Sequence, residues 1–415
     1  MKAGMSNKIS RAVIITPTYN ERPNIKRLIP AIARVFEQIE GWDMKLLVVD
    51  DSSPDGTADE VRQLQKKYKF VELLVNPQKC GLGGAYLRGM DQAFNKLGAE
   101  VVFELDADMS HDPKKIPAFL REIESGADMV LGSRYIAGGS IPANWGLHRK
   151  FLSVFGNFTI ALILGSRAVR DWTTGYRAIR RSVYEKVHED LSDEQFSGYT
   201  FQIGFLHKAL RSGFKVTEVP FHFIDRTEGI SKLGTEYIVN TLRYILIVRL
   251  RELLANRLIK FVIVGGIGFV VNLVFYHLFK SLELWTGLRN LLGIASQAEL
   301  ASVAFSDESL AVILGAEVAI ISNYLWNNLW TFKDRQIVGV KKHLSKFLQF
   351  NLGSVGSVVI QYITMQVSVK LIGIFTLLTL AGFQITSDNL YLVAGVLLGM
   401  IWNFTVYSRI IWRKK

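Results

Sequence analysis

Asp106 and Asp108 flank Ala107 directly after the apolar run 101–105. Two carboxylates spaced this way at a strand end can offer hard oxygen ligands to one divalent cation bridging a diphosphate. They also read as solvated acids capping a turn. Asp50 and Asp51 close another apolar run, 45–49, and Ser52, Ser53 and the turn residues Pro54, Asp55 and Gly56 follow. Such acceptors suit ribose hydroxyls or base edges, and a plain strand-to-helix turn with an aspartate as N-cap accounts for them too. Lys79, Cys80, Gly81, Leu82, Gly83, Gly84 and Ala85 make a glycine-rich entry to a helix, where backbone N–H groups can approach a phosphate or nucleoside. The spacing is not G-x-G-x-x-G and does not follow the first strand, which argues against a dinucleotide-binding fold. Close helix packing explains these glycines nearly as well.

Holding these groups is the task of short β-branched runs at 12–16, 45–49, 71–75 and 101–105, which alternate with amphipathic stretches at 25–38 and 58–68. The runs are too apolar for half-exposed strands and too short for helices, so they predict a parallel sheet buried on both faces. Ligands bind beyond the strand C-termini in such folds. The polar clusters lie there: Thr18, Tyr19, Asn20 and Glu21 after the first strand, the paired aspartates after the second, and Asp106 with Asp108 after a later one.

At 415 residues the chain exceeds what one core usually serves. Charges are frequent up to Lys260, and long uncharged apolar runs follow, at 261–279, 310–332, 347–369 and 390–412, each near the roughly 20 residues a bilayer core requires. These predict four transmembrane helices. A net charge of +12 and a pI near 9.5 suit nucleic acid or an anionic membrane, and position decides for the membrane and against nucleic acid. Arg243, Arg249, Arg251, Arg257 and Lys260 gather before the first apolar run. Basic residues also crowd the link between the second and third runs and the C-terminal tail, so both termini and the first domain are expected in the cytoplasm. Residues 1–11 lack the apolar stretch of a signal peptide, in keeping with that expectation. One cysteine excludes an internal disulfide and a Cys-rich zinc site. The apolar runs resemble a doubled hairpin: Lys260-Phe261 precedes Gly265, Gly266 and Gly268 as Lys346-Phe347 precedes Gly353 and Gly356, and Trp326-Asn327 echoes Trp402-Asn403. Helix packing through small residues is the default account of these glycines. Glu317, an acid inside the second span, calls for a partner, a cavity or an interfacial position.

A resemblance now becomes specific. Thr16-Pro17-Thr18-Tyr19-Asn20-Glu21, Val49-Asp50-Asp51-Ser52, Gly81-Leu82-Gly83-Gly84, Asp106-Ala107-Asp108-Met109-Ser110-His111 and Gly132-Ser133-Arg134-Tyr135 stand in the order seen in family-two glycosyltransferases. Asp171-Trp172-Thr173-Thr174-Gly175-Tyr176-Arg177, Gly198-Tyr199-Thr200-Phe201-Gln202 and the run from Asp225 to Lys232 extend the match. Together they resemble the dolichol-phosphate mannose synthase family over about residues 10–235, and the remainder resembles a GtrA-like membrane domain. The resemblance implies an α/β catalytic domain of GT-A fold, Rossmann-like with a mainly parallel sheet, at 1–234. An amphipathic interface segment at 235–257 and a four-helix transmembrane domain at 258–415 complete the expected organisation.

By that resemblance Pro17, Tyr19, Glu21, Asp50, Asp51, Gly81, Gly84, Asp106 and Ala107 hold the nucleotide. Asp106, Asp108 and Ser110 surround Mg2+ or Mn2+. Ser133, Arg134 and Arg149 take the acceptor phosphate, and Asp108, Arg134, Arg226 and Lys232 carry catalysis. Related sequences often have a glutamate where this chain has Gly204. The implied reaction moves mannose from GDP-mannose to a polyprenyl (dolichyl) phosphate at the bilayer. A phosphate monoester, with a second pKa near 6, is already ionised and needs no general base, so direct displacement with inversion is expected. Replacing Arg134 with alanine is then expected to cost catalysis and not folding.

The nearest rival is glucose transfer from UDP-glucose, although Ser110-His111 resembles the mannosyl type. A processive polysaccharide synthase would need a Gln-x-x-Arg-Trp motif that is absent, and a lipid-linked-sugar translocase or nucleotide-binding scaffold would not need intact Asp and Arg motifs. The stretch 235–251 reads equally as a membrane-surface helix or as a connector packed on the first domain.

Overall fold

The computed structural model describes residues 10–191, 200–225, 235–284, 286–287, 291, 306–380 and 383–413. They form two compact units, Met1–Arg249 and Leu250–Lys415.

In the first unit, β1 (Ser10–Thr18), α1 (Arg22–Phe36), β2 (Trp42–Asp50), α2 (Thr57–Lys67), β3 (Val71–Val75), α3 (Gly81–Asp91) and β4 (Val101–Glu104) follow the expected alternation. Then come α4 (Ile116–Glu124), β5 (Met129–Ser133), α5 (Leu147–Leu164), β6 (Arg177–Arg180), α6 (Arg181–Leu191), α7 (Thr200–Arg211), β7 (Val216–Pro220) and α8 (Thr235–Ala255). The strand order is β3-β2-β1-β4-β6-β5-β7, and only β6 runs antiparallel to its neighbours. Successive strand residues point to opposite faces, so β1 feeds two cores. Val13 and Ile15 join α3 and α7 on one side, and Ala12 and Ile14 join α1 and α4 on the other. All four are fully buried, which is why the run reads as continuously apolar.

The helices obey the same logic. α1 begins at a proline-containing turn and buries Ile25, Leu28, Ile29 and Ile32, one face of a helix at its natural spacing. Gly89 of α3 lies so close to Ile15 and Val49 that a Cβ would collide with Ile15, so this glycine serves close helix–sheet approach. α5 ends at Gly165, whose φ of 67° closes the helix in the left-handed region.

The second unit contains α9 (Arg257–Ser281), α10 (Asp307–Trp326), α11 (Val340–Ile372) and α12 (Ser387–Val406), with a short hairpin of β8 (Thr376–Leu380) and β9 (Phe383–Thr386) before α12. All four helices are long and apolar enough to cross a membrane, once the π-helical turns Asn327–Thr331 and Tyr407–Ile411 that extend α10 and α12 are counted. The doubled hairpin is visible: α9 packs along α10, and α11 along α12. Gly268 faces Asn323, Gly356 faces Trp402 and Gly353 faces Tyr407, which supports the packing account of those three, while Gly265 and Gly266 have open space beside them. Phe332 and Trp412, each just past a π-helical turn, stack at 4.8 Å and join the two hairpins in one aromatic cluster. Glu317 is exposed on α10.

A fifth helix meets the same length and hydropathy criteria, and the sequence patterns did not announce it: α5, in the first unit. Leu147, Phe151, Leu152, Val154, Phe155, Phe158 and Leu162 leave its outer face apolar and exposed. Its inner face is fastened to the domain. Ile160 and Leu164 enter the core beside Ile245 of α8, and the buried Asn157 accepts the Trp172 N–H at 2.7 Å.

Candidate active site

The loops after β1, β2 and β4 meet because these strands are neighbours in the sheet. Each holds one non-glycine residue with positive φ: Asn20 at 60°, Ser52 at 56° and Met109 at 64°. In this region an L residue other than Asn or Asp is strained, and such strain concentrates at functional sites.

The aspartates at the β2 end turn inward. Asp50 is fully buried and accepts from Thr18 Oγ1 at 2.9 Å, Ser53 N at 2.9 Å and Ser53 Oγ at 2.6 Å. Asp51 accepts from Asn76 Nδ2 at 2.6 Å, Cys80 N at 3.2 Å and Gly81 N at 3.0 Å, and so fastens the glycine-rich entry of α3 to the β2 loop. Partial burial, then the hydrogen bond and the charge of Asp51, push the Cys80 thiol up to about 11 in a residue otherwise exposed. Gly84 lies against the Cys80 side chain. Lys79 Nζ sits 3.7 Å above the Tyr19 ring, joining the same loop to the one after β1. At the end of β1 Pro17 pairs with Val49, and in the loop beyond it Glu21 donates its N–H to Thr57 Oγ1 at 3.1 Å while its carboxylate accepts from Asn24.

Asp106 and Asp108 stand differently. The Asp106 side chain is 38% exposed. Its Oδ1 accepts from Tyr86 Oη at 3.1 Å, and its backbone N–H donates to His111 Nδ1 at 3.2 Å. That bond leaves the ring proton on Nε2, which lies 3.9 Å from Asp106 Oδ2. His111 is held in turn by stacking on Tyr176 at 5.0 Å. Asp108 Oδ1 accepts from Ser110 N at 3.0 Å, a tight local turn, and Ala107 and Ser110 are buried. Beneath them Glu104 and Arg177 are fully buried with Oε2 and Nε 3.7 Å apart. Burial, with the charge of Asp106 adding and that of Arg177 opposing, pushes the Glu104 carboxyl up to about 7. Burial and the same acids hold the Tyr86 hydroxyl well above its usual range, so it remains a hydrogen-bond donor to Asp106.

No cluster of three or more His, Cys, Asp or Glu side chains able to hold an ion occurs among the described residues. Asp106, Asp108 and Ser110 are hard oxygen donors too few for a closed cage. The set therefore fits Mg2+ or Mn2+ whose remaining positions are taken by substrate and water oxygens.

The arginines are engaged. Arg134 grips Asp171 with its fork, Nε to Oδ2 and Nη2 to Oδ1 at 2.7 Å each, and Nη2 also donates to Thr173 Oγ1 at 2.8 Å. The Arg134 side chain is 10% exposed and Asp171 fully buried. This pair gives Arg134 a folding role that the sequence reading denied it, because truncation would strand a buried carboxylate. Ser133 ends β5, fully buried, and its Oγ accepts the Tyr135 N–H at 3.4 Å. In the first turn of α5, Arg149 forms a second fork with Asp225, 3.1 Å on each side, and its guanidinium lies 3.8 Å above the Trp145 ring. Tyr135 and Ser153 share a hydrogen bond, so α5 packs directly over the strand end that presents Arg134. Gly204 is buried on α7. Arg226 and Lys232 lie outside the described residues.

Sequence reasoning missed Tyr86, His111 and Asp171 as partners of the acids and the arginine, although His111 and Asp171 lie in quoted motifs. It missed the lipid-like face of α5 altogether. A hydropathy window over 147–164 would have found that face.

The family model for glycosyl transferase family 2 matches residues 13–188, and the model for the GtrA/DPMS transmembrane domain matches residues 260–412, so the protein is an integral membrane protein. Over 403 residues the chain is 31% identical to a dolichol-phosphate mannosyltransferase of Pyrococcus furiosus, covering 96% of this chain and 98% of that one. Over 227 residues it is 40% identical to a polyprenol monophosphomannose synthase of Mycolicibacterium smegmatis, covering 54% of this chain and 81% of that one. Among solved structures, a glucosyl-3-phosphoglycerate synthase from Mycobacterium tuberculosis aligns at 16% identity with a TM-score of 0.42, over 58% of this chain and 79% of that one. Aligned almost end to end with the Pyrococcus furiosus relative and matched in both halves, the chain belongs to the dolichol-phosphate mannosyltransferase family of family 2 glycosyl transferases and carries a GtrA/DPMS transmembrane domain behind its catalytic domain.

Proposed function

We propose that this chain transfers mannose from GDP-mannose to a polyprenyl phosphate, with inversion, at the cytoplasmic face of a membrane. Family membership supports the reaction class. The observation that carries the lipid acceptor is α5, a helix with a phosphate-binding residue type, Arg149, in its first turn and an exposed apolar face beyond it. A soluble acceptor would call for no such face. α5 lies in the membrane surface rather than across it, since crossing would tear Asn157, Ile160 and Leu164 from the domain. Its outer face meets acyl chains while Arg149 stays at headgroup depth, where a lipid phosphate arrives. α8 also exposes Val239, Leu242, Leu246 and Leu250, which makes it a second surface helix, while Ile245 anchors it to the core.

In this scheme the loops of Tyr19, Glu21, Asp51 and Gly81 receive the nucleoside, with Asp50 and Asp51 acting through the loop geometry they fix. Asp106, Asp108 and Ser110 would hold the cation, which would offset the negative charge of the donor diphosphate. Tyr86 and His111 hold Asp106, one at its carboxylate and the other at its backbone N–H. Arg134, set by Asp171, faces charge that develops between donor and acceptor. Arg149, Arg226 and Lys232 steady the phosphates, guanidinium forks matching planar arrays of oxygens. The acceptor phosphate attacks the anomeric carbon as its own nucleophile, so positioning and charge stabilisation are what the side chains supply.

The test is to incubate the full chain in liposomes with a polyprenyl phosphate and either labelled GDP-mannose or UDP-glucose, and to identify the lipid product. A β-linked mannosyl lipid formed from GDP-mannose is expected. A glucosyl lipid, or GDP release without a lipid product, overturns the proposal.

A further inference from the structure

The membrane unit holds an open hollow of about 520 Å3 lined by Arg257, Lys260, Trp330, Thr331, Lys333 and Asp334. We propose that it is a binding site for a lipid-borne phosphate, built from residues other than the acids and arginines of the catalytic domain. Its volume lies within the range of small-ligand sites. Its charge is unbalanced: three cations line it against one carboxylate. That carboxylate is already taken, Asp334 lying 2.6 Å from Arg257 Nη2 and 3.4 Å from Arg335 Nε. Lys260 and Lys333 have no carboxylate within 4.0 Å among the described residues, and Lys260 Nζ instead lies 5.8 Å from the Trp330 ring centroid. The wall also holds an unmet polar group. Thr331 is 2% exposed, and its hydroxyl has no hydrogen-bond partner among the described residues. Buried hydroxyls are rarely left in that state.

The position selects the ligand. Arg257 opens the first spanning helix and Thr331 closes the second, so the hollow sits where a hairpin of two spans leaves the bilayer, on the side rich in lysine and arginine. Leu258, Val262 and Leu329 beside it are exposed and apolar, a surface along which a chain attached to the phosphate can descend. Basic pockets between spanning helices at this depth bind anionic head groups, and tryptophan belongs to the same layer. A phosphodiester on a glycerophospholipid and a phosphomonoester on a polyprenol share the chemistry that the two lysines recognise.

The experiment uses the purified full chain in neutral detergent and native mass spectrometry, with phosphatidylglycerol, phosphatidylcholine, a polyprenyl phosphate and inorganic phosphate as separate probes. Phosphatidylglycerol or the polyprenyl phosphate, whichever is the natural occupant, is expected to bind in preference to phosphatidylcholine. The variant Lys260→Gln/Lys333→Gln should bind it roughly 30-fold more weakly. The control Lys341→Gln/Lys342→Gln, with the same loss of charge, should bind normally. Acetylation footprinting needs no variant: the bound lipid should protect Lys260 and Lys333 in the unaltered protein. Equal binding by both double variants, absence of protection at the two lysines, or displacement of the lipid by inorganic phosphate at matched concentration would each overturn the proposal. None of these readouts depends on mannosyl transfer, so they stand apart from the catalytic assignment.

Discussion

Arg134 is assigned to catalysis yet buried in an ion pair, and a double-mutant cycle with Asp171 separates the two roles. Its fork meets Asp171 at 2.7 Å on both branches, and Asp171 is wholly inaccessible to solvent. Arg134→Ala takes from that carboxylate its hydrogen-bonded counter-ion and leaves only the more distant charge of buried Arg177, and breaking a buried pair costs about 3–5 kcal/mol. For a unit of this size each kcal/mol moves the midpoint by about 2–4 °C, so Arg134→Ala and Asp171→Ala should each melt roughly 6–20 °C lower. The double variant has no stranded charge and should recover at least about half of that loss. Thermal unfolding of the full chain in detergent, followed by intrinsic fluorescence, reads the stability arm, and mannosyl transfer at 20–25 °C reads the other. All three variants should transfer roughly 100-fold more slowly, since the double variant regains fold without regaining the guanidinium. A single variant within about 2 °C of the wild type would refute the buried-pair argument. A double variant with wild-type turnover would show that Arg134 only supports the fold.

Asp108→Asn keeps an oxygen to accept the Ser110 N–H at 3.0 Å and exchanges the other, with its charge, for an NH2 group, so it should fold, transfer roughly 100-fold more slowly and not recover with added Mn2+. Cys80 is the sole cysteine, so alkylation reports on one site. With the thiol pushed from 9.0 to about 11, its thiolate at pH 8 falls from about a tenth to about a thousandth, and iodoacetamide should react about 100-fold more slowly than with a free thiol. The rate should climb until pH is near 11, and GDP should slow it further. Phe151 and Phe155 stack on each other at 5.1 Å on the exposed face of α5, and Phe151→Ser/Phe155→Ser should cut transfer to long-chain polyprenyl phosphate in liposomes by roughly 10-fold while sparing a short-chain acceptor in detergent.

The first four strands were legible: Ala12, Val13, Ile14 and Ile15 announce β1 because neither side of it meets water, whereas β5, equally buried but short, and β7 were not named. β6 was not, because Arg177 and Arg180 disguise it. Their guanidinium groups are satisfied by backbone carbonyls of Thr174, Gln202, Ala127 and Ile123, partners that no local pattern reveals. The acids were found at strand ends, where periodicity and topology put them, but the direction each faces depends on distant donors. Asp51 turns inward because Asn76 and Cys80 come to it, and Asp171 reaches Arg134 across 37 positions. The spans of the second unit stood out as uninterrupted apolar runs. α5 did not, since Arg149, Lys150 and Asn157 break its composition with groups that serve the domain's own interior and rim.

Asn20, Ser52 and Met109 have a further implication. Ser52 and Met109 hold a backbone conformation that costs an ordinary side chain about 1–2 kcal/mol, while asparagine at position 20 adopts it more readily. The packing and hydrogen bonds around these loops must offset that cost, so part of the domain's own stability is committed to their contour. The corollary is that glycine at Met109, by relieving the tension, would leave a sturdier protein with a slacker grip.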